Sequence, residues 1–193
     1  MIKLKFTTLV AAGTFMVLGG AAVAQQTPTQ QDQMQQTQSG ISALSASEKQ
    51  FLTKNATDSI YEFVSAQLAV QKAKSPQVEQ YALRIIDDHA QFNKALMQLA
   101  RQKGLTLPVD LNTQDRAKLA RLMRLSGAEF DLEYTQEVAK ANAASVSEDK
   151  RAVSTTKDQD VQAFIAKFSP VDQEHLQLAN ALKGSSTSGS AGQ

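Results

Sequence analysis

Ser75–Gly104, SPQVEQYALRIIDDHAQFNKALMQLARQKG, reads as one long helix with both ends marked. Ser75 suits an N-cap, and Pro76 suits the first helical position, where a missing N–H removes no bond. Gly104 can take the left-handed conformation that ends a helix. Between them Val78, Ala82, Ile85, His89, Phe92, Leu96 and Leu99 alternate in spacings of four and three and so share one face. Arg84, Asp87, Asn93, Lys94 and Gln98 fall elsewhere and can stay in water. At about 1.5 Å per residue the helix is roughly 42 Å long and needs partners of similar length. His89 stands where an aliphatic residue is expected. Such a histidine is a core residue bonded to an acid, a tyrosine or a carbonyl, or a ligand or proton carrier facing the interior, or a half-exposed boundary residue.

Partners of that length lie on both sides. Ser45-Ala46-Ser47-Glu48 has the form of a capping box and opens a helix running to about Lys74. Its apolar positions include Leu52, Ala56, Ile60, Phe63 and Val70. A neighbouring stripe of Asn55, Ser59, Glu62, Ala66, Ala69 and Ala73 permits close approach of another helix, with an acid in its middle that needs a partner if buried. The turn at Ser75-Pro76 makes these two helices an antiparallel hairpin. Glu62 lies 13 residues before Ser75 and His89 lies 14 after it, so the two side chains stand at nearly the same height.

GLTLPVDLN, from Gly104, is a loop. TQDRAKLARLMRLS after it reads as a short helix capped by Asn112 or Thr113, with Leu119, Leu122 and Met123 apolar. Loop and short helix together span roughly 40 Å, enough to cross the length of a bundle. Ser126-Gly127-Ala128-Glu129 has the form of a second capping box. The third long helix runs from it through Phe130, Tyr134, Val138, Ala141 and Ser145 to about Val153; its later turns are rich in Ala and Ser, so it packs closely or frays. The fourth long helix begins near Asp158, with Val161, Phe164, Phe168, Val171, His175, Leu178 and Leu182 as its seam and Ser169-Pro170 as an expected kink or break. Both histidines of the chain therefore fall in apolar seams.

The ends read differently. MIKLKFTTLVAAGTFMVLGGAAVAQQ has two early lysines, Lys3 and Lys5, an apolar stretch, and Ala22-Val23-Ala24 before Gln25. Residues 1–24 are expected to be a cleaved secretory signal peptide, which places the chain in a bacterial periplasm. No cysteine follows to carry a lipid, and no later segment is apolar enough to span a bilayer. Residues 25–44 are a Gln-rich stretch expected to be a disordered linker, and 184–193 a flexible tail. The bundle domain is expected over 45–183. With no Cys in the chain, no disulfide staples it. Without Lys3 and Lys5 the 20 basic residues become 18 against 19 acidic ones, a net charge of −1. That balance gives no electrostatic case for nucleic acid and leaves room for a protein partner, a second copy, or peripheral attachment to the envelope.

No nucleophile constellation and no phosphate-binding glycine loop is visible. The surviving chemistry is a metal or proton site within the bundle, drawn from Glu62, Asp88, His89, Asp131, Glu137, Asp172, Glu174 and His175, with Glu62, His89 and His175 as the metal-ligand candidates. Di-iron carboxylate bundles carry Glu-x-x-His on two helices. Here Ile86 stands three residues before His89, and Asp172 three before His175, so only a partial match exists. The pattern speaks against a full di-iron centre and leaves a looser mononuclear site suited to zinc, iron or copper; the cofactor stays unknown.

Several of these residues together resemble a known family. They are Glu62 with Leu68-Ala69, then Lys72-Ala73, Ser75, Val78, Asp88-His89, Asn93 and Leu96. Phe130-Asp131 with Tyr134, and Pro170 with His175-Leu176, Ala179 and Leu182, complete the set. From Ser47 to Leu182 the chain resembles the bacterial exported family of domain of unknown function 4142. The resemblance implies an all-α, ferritin-like four-helix bundle with a short extra helix in the crossover between the second and third long helices, and no settled activity, substrate or cofactor. It also implies a histidine where this chain has Asn142, a poor transition-metal ligand. Two readings result: an exported non-enzymatic binding, structural or stress-associated protein with buried, hydrogen-bonded histidines (to Glu62, Asp131 or Tyr134), or a metal-binding bundle. A third use, partner docking through the Ala-rich helix, predicts a contiguous exposed apolar patch.

Overall fold

The computed structural model describes residues 43–188, which form helices α1 (Ala46–Lys72), α2 (Pro76–Gln102), α3 (Thr113–Arg124), α4 (Gly127–Thr155) and α5 (Gln159–Ser188). No strand occurs among them. The signal peptide and nearly all of the expected linker lie outside the described residues. The four long helices are α1, α2, α4 and α5. α1 packs on α2 and α4, and α5 packs on α2 and α4, so each long helix has two long neighbours. The start of α1 meets the α4–α5 turn, where Glu48 bonds Asp158, and its end meets the start of α4, where Asp131 bonds Ser75. All four neighbouring pairs are therefore antiparallel, and α3 climbs between α2 and α4 as the single long crossover of a ferritin-like bundle.

The ends of the helices are locked by side chains. Ser45 and Glu48 form the expected capping box. The second oxygen of Glu48 reaches much further, accepting from Thr156 Oγ1 at 2.5 Å and from the amides of Lys157 and Asp158 at 3.0 Å. Burial opposes ionisation of Glu48, but the hydrogen bonds from Thr156, Ser45 and the Asp158 amide hold its carboxyl far below the usual range. At the same end, buried Lys103 pairs with Asp158 and Asp160, each at 2.7 Å. At the opposite end the turn into α2 is closed by Asp131, whose oxygens accept from the amides of Lys74 and Ser75 at 3.0 and 2.7 Å. Ser75 is the N-cap residue, but its hydroxyl makes no capping bond. Lys72 donates to the carbonyls of Met123 and Leu125, fastening the end of the crossover helix to α1.

The seam of α2 is as expected: Val78, Ala82, Ile85, His89, Phe92, Leu96 and Leu99 are all buried. Gly104 takes φ +64°, the left-handed stop. Asn112 caps α3 by accepting from the Asp115 amide at 2.8 Å. Several details differ from the sequence reading. On α1 the deeper face is the small stripe, with Ser59, Glu62, Ala66 and Ala69 buried and Ile60, Phe63 and Val70 only half-buried. Ser126 makes no side-chain cap, because Gly127 enters α4 with φ +58° and turns the chain away from box geometry. On α4 the buried positions after Val138 are Ala139, Asn142, Val146, Asp149 and Ala152 rather than Ala141 and Ser145, and the helix runs on to Thr155. Pro170 does not split α5. Beyond it His175 stays inward as expected, but the next inward residue is Ala179, fully buried, and not Leu178, which is exposed. α5 also runs on to Ser188, five residues into the stretch expected to be a tail.

Two apolar clusters form the core. One, towards the start of α1, holds Leu52, Phe92, Leu96, Phe164 and Phe168, with Phe92 meeting both phenylalanines edge-on at 5.2 and 5.0 Å. The other holds Tyr81, Ile85, Leu122, Phe130 and Tyr134. The histidines lie between them, His89 falling between Ile85 of one cluster and Phe92 of the other. No helix among the described residues is long and apolar enough to cross a membrane.

Candidate functional site

The 3.6-residue repeat carries Ser59 and Glu62 on α1, and His89 and Asn93 on α2, to facing positions at one level of the hairpin. His89 Nδ1 lies 2.7 Å from Ser59 Oγ, and the Ser59 hydroxyl donates to Asn93 Oδ1 at 2.7 Å. Ser59 has one hydrogen, so it receives from His89 Nδ1–H. His89 Nε2 faces Glu62 Oε2 across 3.3 Å. Glu62 and His89 meet as their matched heights foretold. Asn93, expected in water, is half-buried and part of this chain of bonds.

His175 on α5 completes the layer. Its ring stacks on that of His89 with centroids 5.9 Å apart and planes 19° from parallel. Its Nε2 bonds Asp88 Oδ2 at 2.9 Å, and Asp88 also accepts from Arg84 at 2.5 Å. Asp88, not Asp131 or Tyr134, is therefore the acid partner of His175. Burial pushes the His175 imidazole below its ordinary value, with the nearby His89 adding to the effect and Asp88 opposing it. Asp88 is held below the usual carboxylate range, since the His175 and Arg84 bonds outweigh its burial. His175 is 1% exposed, yet its Nδ1 has no hydrogen-bond partner.

The other candidate acids go elsewhere. Asp131 closes the turn described above. Glu174 pairs with Arg84 at the surface. Glu137 accepts from Tyr61 and pairs with Arg121 of α3. Asp172 lies against Asp149 of α4, and burial together with the Asp149 charge pushes its carboxyl up to about 8. Among the described residues, no group of three or more His, Cys, Asp or Glu is placed to hold a metal ion. Of the three metal-ligand candidates, Glu62 and His89 come together directly, and His175 joins them through ring stacking.

Sequence reasoning noted Asn142 only as a poor metal ligand and missed its bonds: its amide donates to Tyr81 at 3.1 Å and to the Val138 carbonyl at 2.8 Å. It also missed a cavity of about 480 Å³ between α1, α3 and α4, with Glu62 in its wall. A signal for the cavity was present: Ala141, Ala144 and Ser145 line it, and their small side chains leave the space open. Tyr61 lies in the same wall, and burial and the Glu137 bond push its phenol upward.

The model of the family described as domain of unknown function (DUF4142) matches residues 26–182. The chain belongs to this family. No curated protein and no solved structure matches the DUF4142 chain. In this DUF4142 member the position where the resemblance implied a histidine is Asn142, buried and bonded to Tyr81.

Proposed function

We propose that this DUF4142 protein is exported and acts without catalysing a reaction, as a binding, structural or stress-associated component of the periplasm. The observation that carries this reading is the engagement of both histidines by protein groups: His89 by Ser59 and Glu62, His175 by Asp88. Such a layer joins α1, α2 and α5 by polar contacts inside the core, a structural use of histidine. Export rests on Lys3, Lys5 and the Ala22-Val23-Ala24 site. The test is cell fractionation with intact-mass measurement of the untagged chain. A mass beginning at Gln25 in the soluble periplasmic fraction agrees with the proposal; an uncleaved chain in the cytoplasm contradicts it. A protein partner, a second copy or the envelope surface would then be what the bundle engages. The large apolar side chains that α4 exposes, Leu132 and Val153, stand about 30 Å apart along the helix, which favours polar contacts over an apolar patch on that face.

One observation favours a second reading. The buried, unpartnered His175 Nδ1 lies beside the Glu62–His89 pair, and Glu62, His89 and His175 are the residues that would hold a metal ion. Stacked rings direct their in-plane lone pairs side by side rather than towards one point, so binding requires one ring to turn. A melting temperature that falls on adding EDTA supports this reading, and an unchanged one counts against it.

A further inference from the structure

We propose that the cavity between α1, α3 and α4 binds a small organic cation, an amine whose ammonium group sits against Glu62. The cavity, at about 480 Å³, lies in the size range of small-molecule pockets. Its wall carries five acids, Asp58, Glu62, Asp115, Glu133 and Glu137, against four bases, Lys54, Lys118, Arg121 and Lys140. Four of the acids are neutralised within the protein. Asp58 pairs with Lys54, Asp115 with Lys118, and Glu133 and Glu137 with Arg121. Glu62 is the exception: it is 5% exposed and has no lysine or arginine partner among the described residues. A buried carboxylate with no lysine or arginine partner favours a cation over any neutral guest.

Glu62 also has the freedom to accept one. Its ionisable partner is the His89 imidazole, whose Nε2 stands 3.3 Å from Glu62 Oε2. An ammonium group entering from the cavity meets a carboxylate that no lysine or arginine holds. His89 keeps its Ser59 bond throughout, so the histidine layer stays intact. The walls suit the aliphatic part of an amine: Ala141 and Ala144 give apolar surface, and the Tyr61 ring stands beside them with the Lys118 ammonium 4.8 Å above it. This inference extends the binding part of the reading above, and the export test is independent of it.

The experiment is a calorimetric titration of the purified chain, in EDTA, with three four-carbon probes: putrescine, 1,4-butanediol and succinate. Saturable binding of putrescine alone is the expected result. Glu62→Gln should weaken it by about ten- to a hundredfold, the worth of one charged hydrogen bond. Ala141→Leu, which fills the cavity without touching Glu62, should abolish it while leaving the helical circular dichroism unchanged. Equal binding of the diol, stronger binding of succinate, no binding of putrescine, or undiminished binding in Ala141→Leu would each overturn the proposal.

Discussion

At the end of the bundle where α1 begins, Glu48 accepts from Ser45, Thr156, Lys157 and Asp158, and Lys103 sits between two aspartates. Between the ends, the His175 Nδ1, the Tyr134 hydroxyl and Asn142 Oδ1 are buried with no hydrogen-bond partner among the described residues. Glu48 and Asp158 are as buried as the two histidines, but the two regions use polar groups in opposite ways. At the end, one carboxylate organises a turn more than a hundred residues away in sequence, and every bond fixes chain geometry. In the middle, polar groups sit in a core that apolar residues could fill, and several are left short of bonds, an arrangement that opposes stability. Within that costly middle, the histidine layer still ties α1 to α2 and α2 to α5.

The comparison can be broken most directly at Glu48. Replacing it with Ala strands several buried donors, so unfolding free energy should fall by about 3 kcal/mol in urea denaturation at pH 7. A loss under 1 kcal/mol would remove the contrast. Its pH dependence has a definite sign. A carboxyl held below its ordinary value of 4.5 stabilises the fold above that pH, and the contribution is lost as the pH falls towards the folded value.

The middle behaves oppositely. Asp172 is raised from 3.8 to about 8, so the folded state binds its proton more tightly than the unfolded one. Stability should therefore decline as pH rises from about 4 to about 8 and level off above that. Asp172→Asn should flatten this decline and stabilise the protein at pH 8.5 by about 2 kcal/mol, less than the full shift implies because Asp149 shares the proton. Thermal melts at pH 5 and 8.5 decide it, and equal melting of the variant and wild type at pH 8.5 would count against a protonated carboxyl pair. The smallest effect is expected at His175. His175→Leu removes an unpartnered nitrogen and leaves Asp88 its bond to Arg84, so stability should stay within about 1 kcal/mol of wild type. A loss of about 3 kcal/mol would give this histidine a larger structural role than the layer suggests.

How much of this was legible follows the range of the interactions. The α2 seam, the Gly104 stop and the meeting of Glu62 with His89 were readable because periodicity and a single tight turn fix them locally. The Ser45–Glu48 capping box was readable too, but its link to Thr156 was not, since no local pattern joins residues 108 apart. Asp88 and His175 were both candidates, yet their pairing depends on how α5 lies against α2. From His175 the seam steps four residues to Ala179 rather than three to Leu178, and the three-four spacing alone allows either step. On α4 the sequence pointed to Ala141 and Ser145 as core, but packing turned Asn142 inward and left the alanines to line the cavity beneath the crossover helix.

The central claim is that the histidine layer serves the protein through its own hydrogen bonds and not as a metal centre. Elemental mass spectrometry of the untagged protein purified from its own periplasm, beside the His89→Leu, His175→Leu double variant, tests it most directly. The account predicts no stoichiometric metal in either sample. Near-stoichiometric zinc, iron or copper in the wild type that disappears in the double variant would contradict it.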